Sequence, residues 1–205
     1  MKTYNCIFTG GSVRGLCYVG ALKAFEENNI KINCYSGSSI GAIFMTMYAL
    51  GYSAEEIKNE LDKTNLCFLF SDFNFNLISD FAISKGRIYL HWLREKIESK
   101  YYGKNYVKGK MKPVCFKDLD KEIYIIATDL EESLPFVFSK ETTPDTEVAV
   151  ALRISSSMPG LLPIYKFQNK FLIDGDILRA KPIWDVLSFL LDRKETILEF
   201  RITGG

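Results

Sequence analysis

A serine is flanked by two glycines at the junction of two apolar segments. Residues 33–50 read NCYSGSSIGAIFMTMYAL, so that Gly37, Ser39 and Gly41 form a Gly-x-Ser-x-Gly pattern. In a nucleophile elbow this pattern places the serine on a sharp strand-to-helix turn, because the glycines allow backbone segments to approach closely there. The turn exposes the hydroxyl, and the N-terminal end of the next helix favours developing negative charge beside it. The pattern therefore predicts that Ser39 is the nucleophile of an acyl transfer.

A serine nucleophile needs a base, and the sequence offers few candidates. His91 is the only histidine, and it falls on the polar side of an amphipathic helix predicted over residues 87–100, where we expect it to be solvated. Asp174 ends the apolar run KFLID, a position at which strand ends of α/β sheets carry functional side chains. The alternative is an ordinary Asp-Gly turn. We predict Asp174 as the base, with Asp176 close enough to raise the pKa of one of the two carboxyls.

The sequence TGGSVRGL follows the first predicted strand and is rich in glycine. Consecutive backbone N–H groups in such a turn, followed by the start of a helix, suit an oxyanion or a phosphate. The loop matches neither the dinucleotide-binding fingerprint nor the Walker pattern. We therefore predict that this loop forms an oxyanion hole that serves Ser39.

Strands and helices alternate in the part of the chain that must position these residues. Hydrophobic patterning predicts strands at residues 4–9 and 32–36 and helices at residues 16–28 and 40–50. This β-α-β-α series favours a largely parallel sheet that is covered by helices on both faces. Further helices are predicted to begin at Ser53 and to span residues 87–100, 146–156 and 182–191, and further strands to span residues 122–130, 133–139, 170–174 and 196–202.

Length and charge fit one globular domain that does not bind nucleic acid. A chain of 205 residues is near the usual size of a domain, so we expect a single domain over residues 1–205. The terminal TGG hardly caps a domain, and we expect that the chain either is truncated there or trails off unfolded. The net charge of +1 gives no electrostatic attraction to nucleic acid.

Cysteine usage predicts a reducing compartment. The five cysteines are odd in number and widely spaced, which fits neither a zinc site nor a disulfide scaffold. Cys6, Cys17 and Cys34 lie among apolar neighbours and are predicted to be buried. No export signal is recognised before GGSVRG, and the apolar run 40–50 falls far short of the roughly 20 residues that cross a bilayer. We therefore expect a cytoplasmic protein.

Three motifs, GGSVRG, GSSIG and DGD, occur in this order, each at the end of a predicted strand. Together with FKDLDKEIYIIATDLEE and ALRISSSMPGLLPI they resemble the patatin-like phospholipase family of serine acyl hydrolases over almost the whole chain. The resemblance implies a three-layer α/β/α fold with a mostly parallel central sheet and a Ser39–Asp174 dyad that uses no histidine. It also implies that the oxyanion hole lies at Gly10, Gly11 and Ser12 of the glycine-rich loop. Supporting roles are implied for five residues of the same motifs, namely Arg14, Gly15, Gly37, Gly41 and Gly175.

Two positions depart from the family pattern. Ser12 stands where the third glycine of the loop is expected, and it resists the positive φ that glycine adopts, which predicts a weaker oxyanion hole. Asp176 stands where the family usually has Gly or Ala, and its charge beside the dyad predicts an altered substrate preference or optimum pH.

The resemblance implies a lipid acyl hydrolase of the phospholipase A or lysophospholipase type, without a metal or other cofactor. Access to lipid implies transient contact with a membrane surface through the Phe-rich residues 68–81, part of a segment that we expect to be a loop or a lid of short helices. Two alternatives stay open at this point. One is an esterase that acts on neutral glycerides, thioesters or soluble esters, and the other is a non-catalytic scaffold that binds lipid or a partner protein.

Overall fold

A computed structural model describes residues 3–74, 81–177 and 196–202, and the helix predicted at 182–191 lies outside them. The strands are β1 Thr3–Phe8, β2 Lys31–Ser38, β3 Glu122–Asp129, β4 Leu134–Phe138, β5 Tyr165–Phe167, β6 Lys170–Asp174 and β7 Thr196–Phe200. The α-helices are α1 Tyr18–Glu27, α2 Ser39–Ala49, α3 Ala54–Asp62, α4 Leu66–Leu69, α5 Arg87–Tyr102 and α6 Val148–Ser155. Short 3-10 helices span Ser12–Cys17, Gly103–Asn105 and Phe116–Asp118.

The seven described strands form one mixed sheet. Its order is β5-β6-β3-β2-β1-β7, and β4 pairs with β3 as well. The neighbours β3, β2, β1 and β7 run parallel, whereas β4 and β6 are antiparallel to β3 and β5 is antiparallel to β6. The α/β class predicted from the sequence is confirmed, with parallel pairing in the half that contains the β-α-β-α series.

Two strands converge end to end along one side of β3. β2 pairs with β3 as far as Ser38 opposite Ile126, and β6 pairs with β3 from Asp174 opposite Ala127. Since β4 pairs with β3 across both stretches, β2 and β6 lie together on the opposite side of β3 from β4. β2 runs parallel to β3 and β6 antiparallel, so their carboxyl ends meet at adjacent positions.

Alternate side chains of the central strands enter two separate buried clusters, as the period of a strand requires. Phe8, Tyr35 and Ile125 belong to a large cluster that includes buried residues of α1, α2, α3, α5 and α6. Their sequence neighbours Ile7 and Cys34 point to the other face, where they cluster with Tyr124 and Ile126. Burial on both faces fixes the register of these strands, because a slip by one residue would exchange the two sets.

The helix predicted to begin at Ser53 is confirmed, and its capping box is complete. Ser53 Oγ accepts a hydrogen bond from the Glu56 N–H, and the Glu56 carboxylate accepts one from the Ser53 N–H. The segment that follows forms α4 and then an isolated bridge between Phe73 and Ser84, and residues 75–80 lie outside the described part of the chain.

Candidate active site

Ser39 lies on the sharp corner between β2 and α2. Its φ is 50°, a left-handed value that is uncommon for a residue other than glycine. Both flanking glycines lie against the carboxyl end of β1: a Cβ on Gly41 would stand 2.2 Å from the carbonyl oxygen of Phe8, and one on Gly37 would stand 2.7 Å from the same oxygen. The glycines are therefore required by close packing, and the corner has the geometry of a nucleophile elbow.

The convergence of β2 and β6 brings Ser39 and Asp174 into direct contact. Ser39 Oγ donates a hydrogen bond of 2.7 Å to Asp174 Oδ2, although 135 positions separate the two residues in sequence. Gly175 permits the approach, because a Cβ there would stand 2.2 Å from the carbonyl oxygen of Ile126. The two residues predicted as nucleophile and base are thus neighbours in the fold.

The strand that ends at Asp174 differs in direction from the strand that leads to Ser39. β6 runs antiparallel to β3, whereas β2 runs parallel to it. Asp174 reaches the site because β6 is short and stops at Ala127, level with the end of β2.

Asp174 is buried, with 4% of its surface exposed to solvent. Burial raises the pKa of its carboxyl to about 6, and the charge of Asp176 acts in the same direction. Hydrogen bonds from the Asp176 N–H and from Ser39 oppose the rise. A carboxylate whose pKa lies near neutrality has the proton affinity that a general base needs.

Ser155 and Ser157 hold both halves of the pair, and sequence reasoning did not single them out. Ser155 Oγ accepts a hydrogen bond of 2.9 Å from the Ser39 N–H and donates one of 2.5 Å to the carbonyl oxygen of Ile126. The backbone carbonyl of Ser157 accepts from the Asp174 N–H at 3.1 Å. Both serines lie in the run SSS at the end of α6, within the segment ALRISSSMPGLLPI that resembles the family.

The glycine-rich loop passes beside this pair. Gly11 packs against the side chain of Ile202, and Gly15 against Ile40, the residue after Ser39. Ser12 has a φ of 54°, so the expectation that it would resist a positive φ is wrong. Arg14 is exposed, and its backbone N–H donates to the carbonyl oxygen of Gly11.

Gly10 has a partner that the prediction of the oxyanion hole did not anticipate. A backbone hydrogen bond from Gly10 reaches the carboxylate of Asp176, and a Cβ on Gly10 would stand 1.6 Å from Asp176 Oδ2. The surroundings of the three predicted amide donors therefore differ, because Gly10 lies against the Asp176 carboxylate. Ser12 lines the cavity that contains Ser39.

An apolar cavity of about 240 Å³ opens beside Ser39 and Asp174. Its apolar walls come from α2, α4, α5 and their flanking residues, and they include Ile43, Phe44, Phe70 and Trp92. Val13, Leu16, Leu66 and Met158 also line it, and these four side chains are exposed to solvent. The apolar walls suit an aliphatic chain, with the group that reacts placed beside Ser39.

His91 is exposed on α5 and lines a second cavity of about 710 Å³. Its exposure agrees with the predicted solvation, and the described residues that line the Ser39 cavity do not include it. All five cysteines are free; Cys6 and Cys34 are buried as predicted, whereas Cys17 is exposed, so its predicted burial is wrong. Within the described ranges, no group of three or more His, Cys, Asp or Glu side chains is arranged to hold a metal.

The fold and the site define an α/β protein with a serine on an elbow corner, bonded to a buried carboxylate. The sequence model of the Patatin-like phospholipase family matches residues 7–187, and the chain belongs to this family. The resemblance inferred from the three motifs is thereby confirmed.

Two viral proteins are among the relatives. The chain is 30% identical to the uncharacterized protein R571 of Acanthamoeba polyphaga mimivirus, over 87% of this chain and 60% of that protein. It is 28% identical to the probable lipid hydrolase 463L of Invertebrate iridescent virus 6, over 86% of this chain and 61% of that protein. The chain thus spans about 60% of the length of each relative.

Similarity extends to a yeast enzyme and to solved bacterial structures. The lysophospholipase NTE1 of Kluyveromyces lactis is 26% identical over 90% of this chain and 12% of that protein. VipD of Legionella pneumophila has a TM-score of 0.66 at 16% identity, over 85% of this chain and 46% of VipD. ExoU of Pseudomonas aeruginosa, solved in complex with SpcU, has a TM-score of 0.62 at 25% identity, over 79% of this chain and 40% of the matched chain. The likeness to VipD is therefore one of fold alone.

Proposed function

We propose that this protein hydrolyses the carboxylic esters of lipids, with Ser39 as the nucleophile and Asp174 as the base. The observation that carries the proposal is the 2.7 Å hydrogen bond from Ser39 Oγ to Asp174 Oδ2 beside an apolar cavity. The hydroxyl has an acceptor for its proton within the distance that general-base catalysis requires. Burial, which raises the pKa of Asp174, strengthens that acceptor.

The reaction follows from these positions. Ser39 Oγ attacks the ester carbonyl carbon while Asp174 takes the hydroxyl proton, and the carbonyl oxygen becomes an oxyanion beside the glycine-rich loop. The tetrahedral intermediate collapses, the carbon–oxygen bond to the alcohol breaks, and Asp174 returns the proton to the departing alkoxide. Water, deprotonated by Asp174, then attacks the acyl-serine and releases the fatty acid, with the proton returning to Ser39 Oγ.

A lipid substrate is supported by the cavity and by its surroundings. An apolar cavity beside the nucleophile stabilises an acyl chain by burying it. Relatives described as a probable lipid hydrolase and a lysophospholipase support the same substrate class. We assign the activity to the phospholipase A or lysophospholipase type, with cleavage of the ester that holds the acyl chain.

Contact with a lipid surface is part of the proposal. Val13, Leu16 and Leu66 are exposed and line the cavity that contains Ser39. Phe68 and Phe73, from the Phe-rich segment, are 60% and 65% exposed. Exposed apolar side chains that adjoin a binding cavity are typical of an interaction surface. Within the described ranges, helices of sufficient length and apolar character to span a bilayer are absent.

The activity is tested with defined lipids and a fluorophosphonate probe. We expect release of fatty acid from phosphatidylcholine vesicles or lysophosphatidylcholine micelles, measured by mass spectrometry of the products, and labelling of the peptide that contains Ser39. If the protein hydrolyses short-chain nitrophenyl esters but neither lipid, it is instead an esterase that acts on soluble esters. Failure to label and failure to hydrolyse any of these esters would favour the non-catalytic scaffold.

Trp92 is expected to limit the length of the acyl chain. Together with Thr64 and Leu69 it lines both cavities, so it stands in the wall between them. Its indole N–H donates a hydrogen bond of 3.2 Å to Thr64 Oγ1, which fixes the ring. At roughly 30 Å³ for a group the size of a water molecule, a cavity of 240 Å³ holds roughly eight methylenes.

Trp92→Ala joins the two cavities and is therefore expected to favour longer chains. We expect the ratio of kcat/KM for a sixteen-carbon ester to that for an eight-carbon ester to rise at least about tenfold, since single methylenes in a fitted pocket already change rates by this order. Phe70→Ala is the matched control, because Phe70 lines only the smaller of the two described cavities. An unchanged ratio in a folded Trp92→Ala protein would contradict the assignment.

A further inference from the structure

The carboxylate of Asp176 joins three parts of the candidate site. Asp176 Oδ1 accepts a hydrogen bond of 2.5 Å from Ser38 Oγ, at the end of β2. The Gly10 backbone contributes a second hydrogen bond, from the glycine-rich loop. The backbone N–H of Asp176 donates to Asp174 Oδ1 at 2.9 Å. One residue thus connects the loop, the corner and the predicted base.

Gly10 and Asp176 fit each other closely. A Cβ on Gly10 would stand 1.6 Å from Asp176 Oδ2 and 3.0 Å from Ser39 Cβ. The space over Gly10 is therefore filled by the carboxylate, and a side chain at position 10 would displace it. Because the carboxylate lies directly over Gly10, its negative charge opposes the binding of a substrate oxyanion at that amide.

We infer that Asp176 is a positioning residue, which fixes the glycine-rich loop on the corner and leaves oxyanion binding to the amides of Gly11 and Ser12. The inference rests on the proposed ester hydrolysis and deepens it. Ser12 supports it, since this residue lines the cavity that contains Ser39 and its φ of 54° turns the backbone at that point. Asp176 acts through Gly10 and Ser38, and it touches no reacting atom.

The charge of Asp176 has a second effect on the base. Among the described residues, the ionisable groups that face its carboxyl are Asp174 on β6 and Tyr18 on α1. The Tyr18 hydroxyl donates to the carbonyl oxygen of Thr9 and its pKa is raised to about 12, so it is neutral at working pH. Burial is the main cause of the raised pKa of Asp174, and the charge of Asp176 adds to it. Removing that charge should therefore move the ionisation of the base to lower pH.

Asparagine and alanine separate the two effects. Asn at position 176 keeps an oxygen that can accept from the Gly10 N–H, and its amide can donate to Ser38 Oγ, because a hydroxyl can also accept. Ala removes both contacts. We expect Asp176→Ala to lower kcat per labelled active site by about 10–100-fold, which is the range for losing hydrogen bonds to a charged group, with KM much less changed. Asp176→Asn should keep kcat at pH 8 within about threefold of wild type, since its hydrogen bonds remain.

The dependence of activity on pH separates the effect of the Asp176 charge from a purely structural role, because losing a structural contact alone would not shift that dependence. For Asp176→Asn, the activity at pH 5 divided by that at pH 8 should exceed the wild-type ratio by about threefold or more, corresponding to half a pKa unit or more. Asp129→Asn is the matched control: Asp129 is buried and accepts hydrogen bonds from the Glu131 and Glu132 amides, yet it is not a cause of the Asp174 pKa. It should leave both the rate and the profile unchanged.

The outcomes decide between the alternatives. Fluorophosphonate titration supplies the concentration of active sites, so partial unfolding does not imitate a lower kcat. An unchanged kcat per site in Asp176→Ala, or an unchanged pH profile in Asp176→Asn, would overturn the inference. If the alanine variant does not fold, Ser38→Ala replaces it, because it removes one of the two contacts and should lower kcat per site. If wild type neither labels nor hydrolyses esters, the proposed function fails instead.

Discussion

Ser39→Ala is expected to abolish ester hydrolysis. Without the oxygen that attacks the carbonyl, kcat should fall by about 10⁶-fold, as in serine hydrolases that lose their nucleophile. Labelling by a fluorophosphonate should disappear with it, since the same oxygen forms the covalent bond. Product analysis at high protein concentration measures the residual rate, and in-gel fluorescence measures the labelling.

Ser36→Ala is the matched control for this variant. Ser36 lies on β2, the strand that leads to Ser39. It is fully buried, and within the described residues its hydroxyl has no hydrogen-bond partner. Removing that hydroxyl should cost little stability and no activity. Retained turnover in Ser39→Ala, with Ser36→Ala unaffected, would show that another residue is the nucleophile.

A glycine at position 39 separates the role of the hydroxyl from that of the backbone. Ser39 has a φ of 50°, and this conformation costs a residue with a Cβ about 1–2 kcal/mol relative to glycine. We therefore expect Ser39→Gly to be as inactive as Ser39→Ala but more stable in thermal unfolding. That combination would indicate that the corner is strained to expose a reactive group.

The corner could be predicted from sequence because its determinants are local. Gly37 and Gly41 are separated from Ser39 by one residue each, and both are required by contact with the end of β1. The apolar segments on either side also predicted β2 and α2. Short-range sterics and hydrophobic period thus suffice to place the candidate nucleophile.

The partner of Ser39 was predicted with less support, because its position depends on long-range pairing. The sequence shows that Asp174 ends an apolar strand, but not that β6 is antiparallel to β3 and stops level with the end of β2. Nothing in KFLID specifies that register, which the sheet as a whole determines. The fold brings Asp174 to Ser39 through this register, and its role as the base stays a prediction.

The contacts of the side chains that hold the site could not be predicted from the sequence. Ser155 bonds to the Ser39 N–H, and Asp176 to Ser38 and Gly10. Serine and aspartate occur commonly at helix ends and in turns, so their type alone carries little information. The contact between Gly10 and Asp176 joins positions 166 residues apart, and only the assembled sheet reveals it.

Asp174→Asn is expected to lower kcat by about 10²–10⁴-fold, the usual contribution of a general base. Asparagine keeps the shape of the side chain but cannot accept the proton of Ser39 Oγ. In wild type, activity should fall as the pH drops below about 6, where the Asp174 carboxyl becomes protonated. This fall at acid pH should be absent from the residual activity of Asp174→Asn. The matched change His91→Ala should leave turnover intact, and a large loss there in a folded protein would contradict the dyad.

Asp174→Asn, which should lower activity, is expected to raise the free energy of unfolding relative to wild type at neutral pH. Because burial raises the pKa of Asp174 from 3.8 to about 6, the folded protein binds this proton more tightly than the unfolded chain does. The resulting stabilisation is present in acid and is lost as the pH rises through about 6. Asp174→Asn carries no such charge, so its free energy of unfolding relative to wild type should rise between pH 4 and 7, by up to ~3 kcal/mol. Urea unfolding at both pH values measures this difference, and a constant difference would mean that the carboxyl of Asp174 titrates normally and is a poor base.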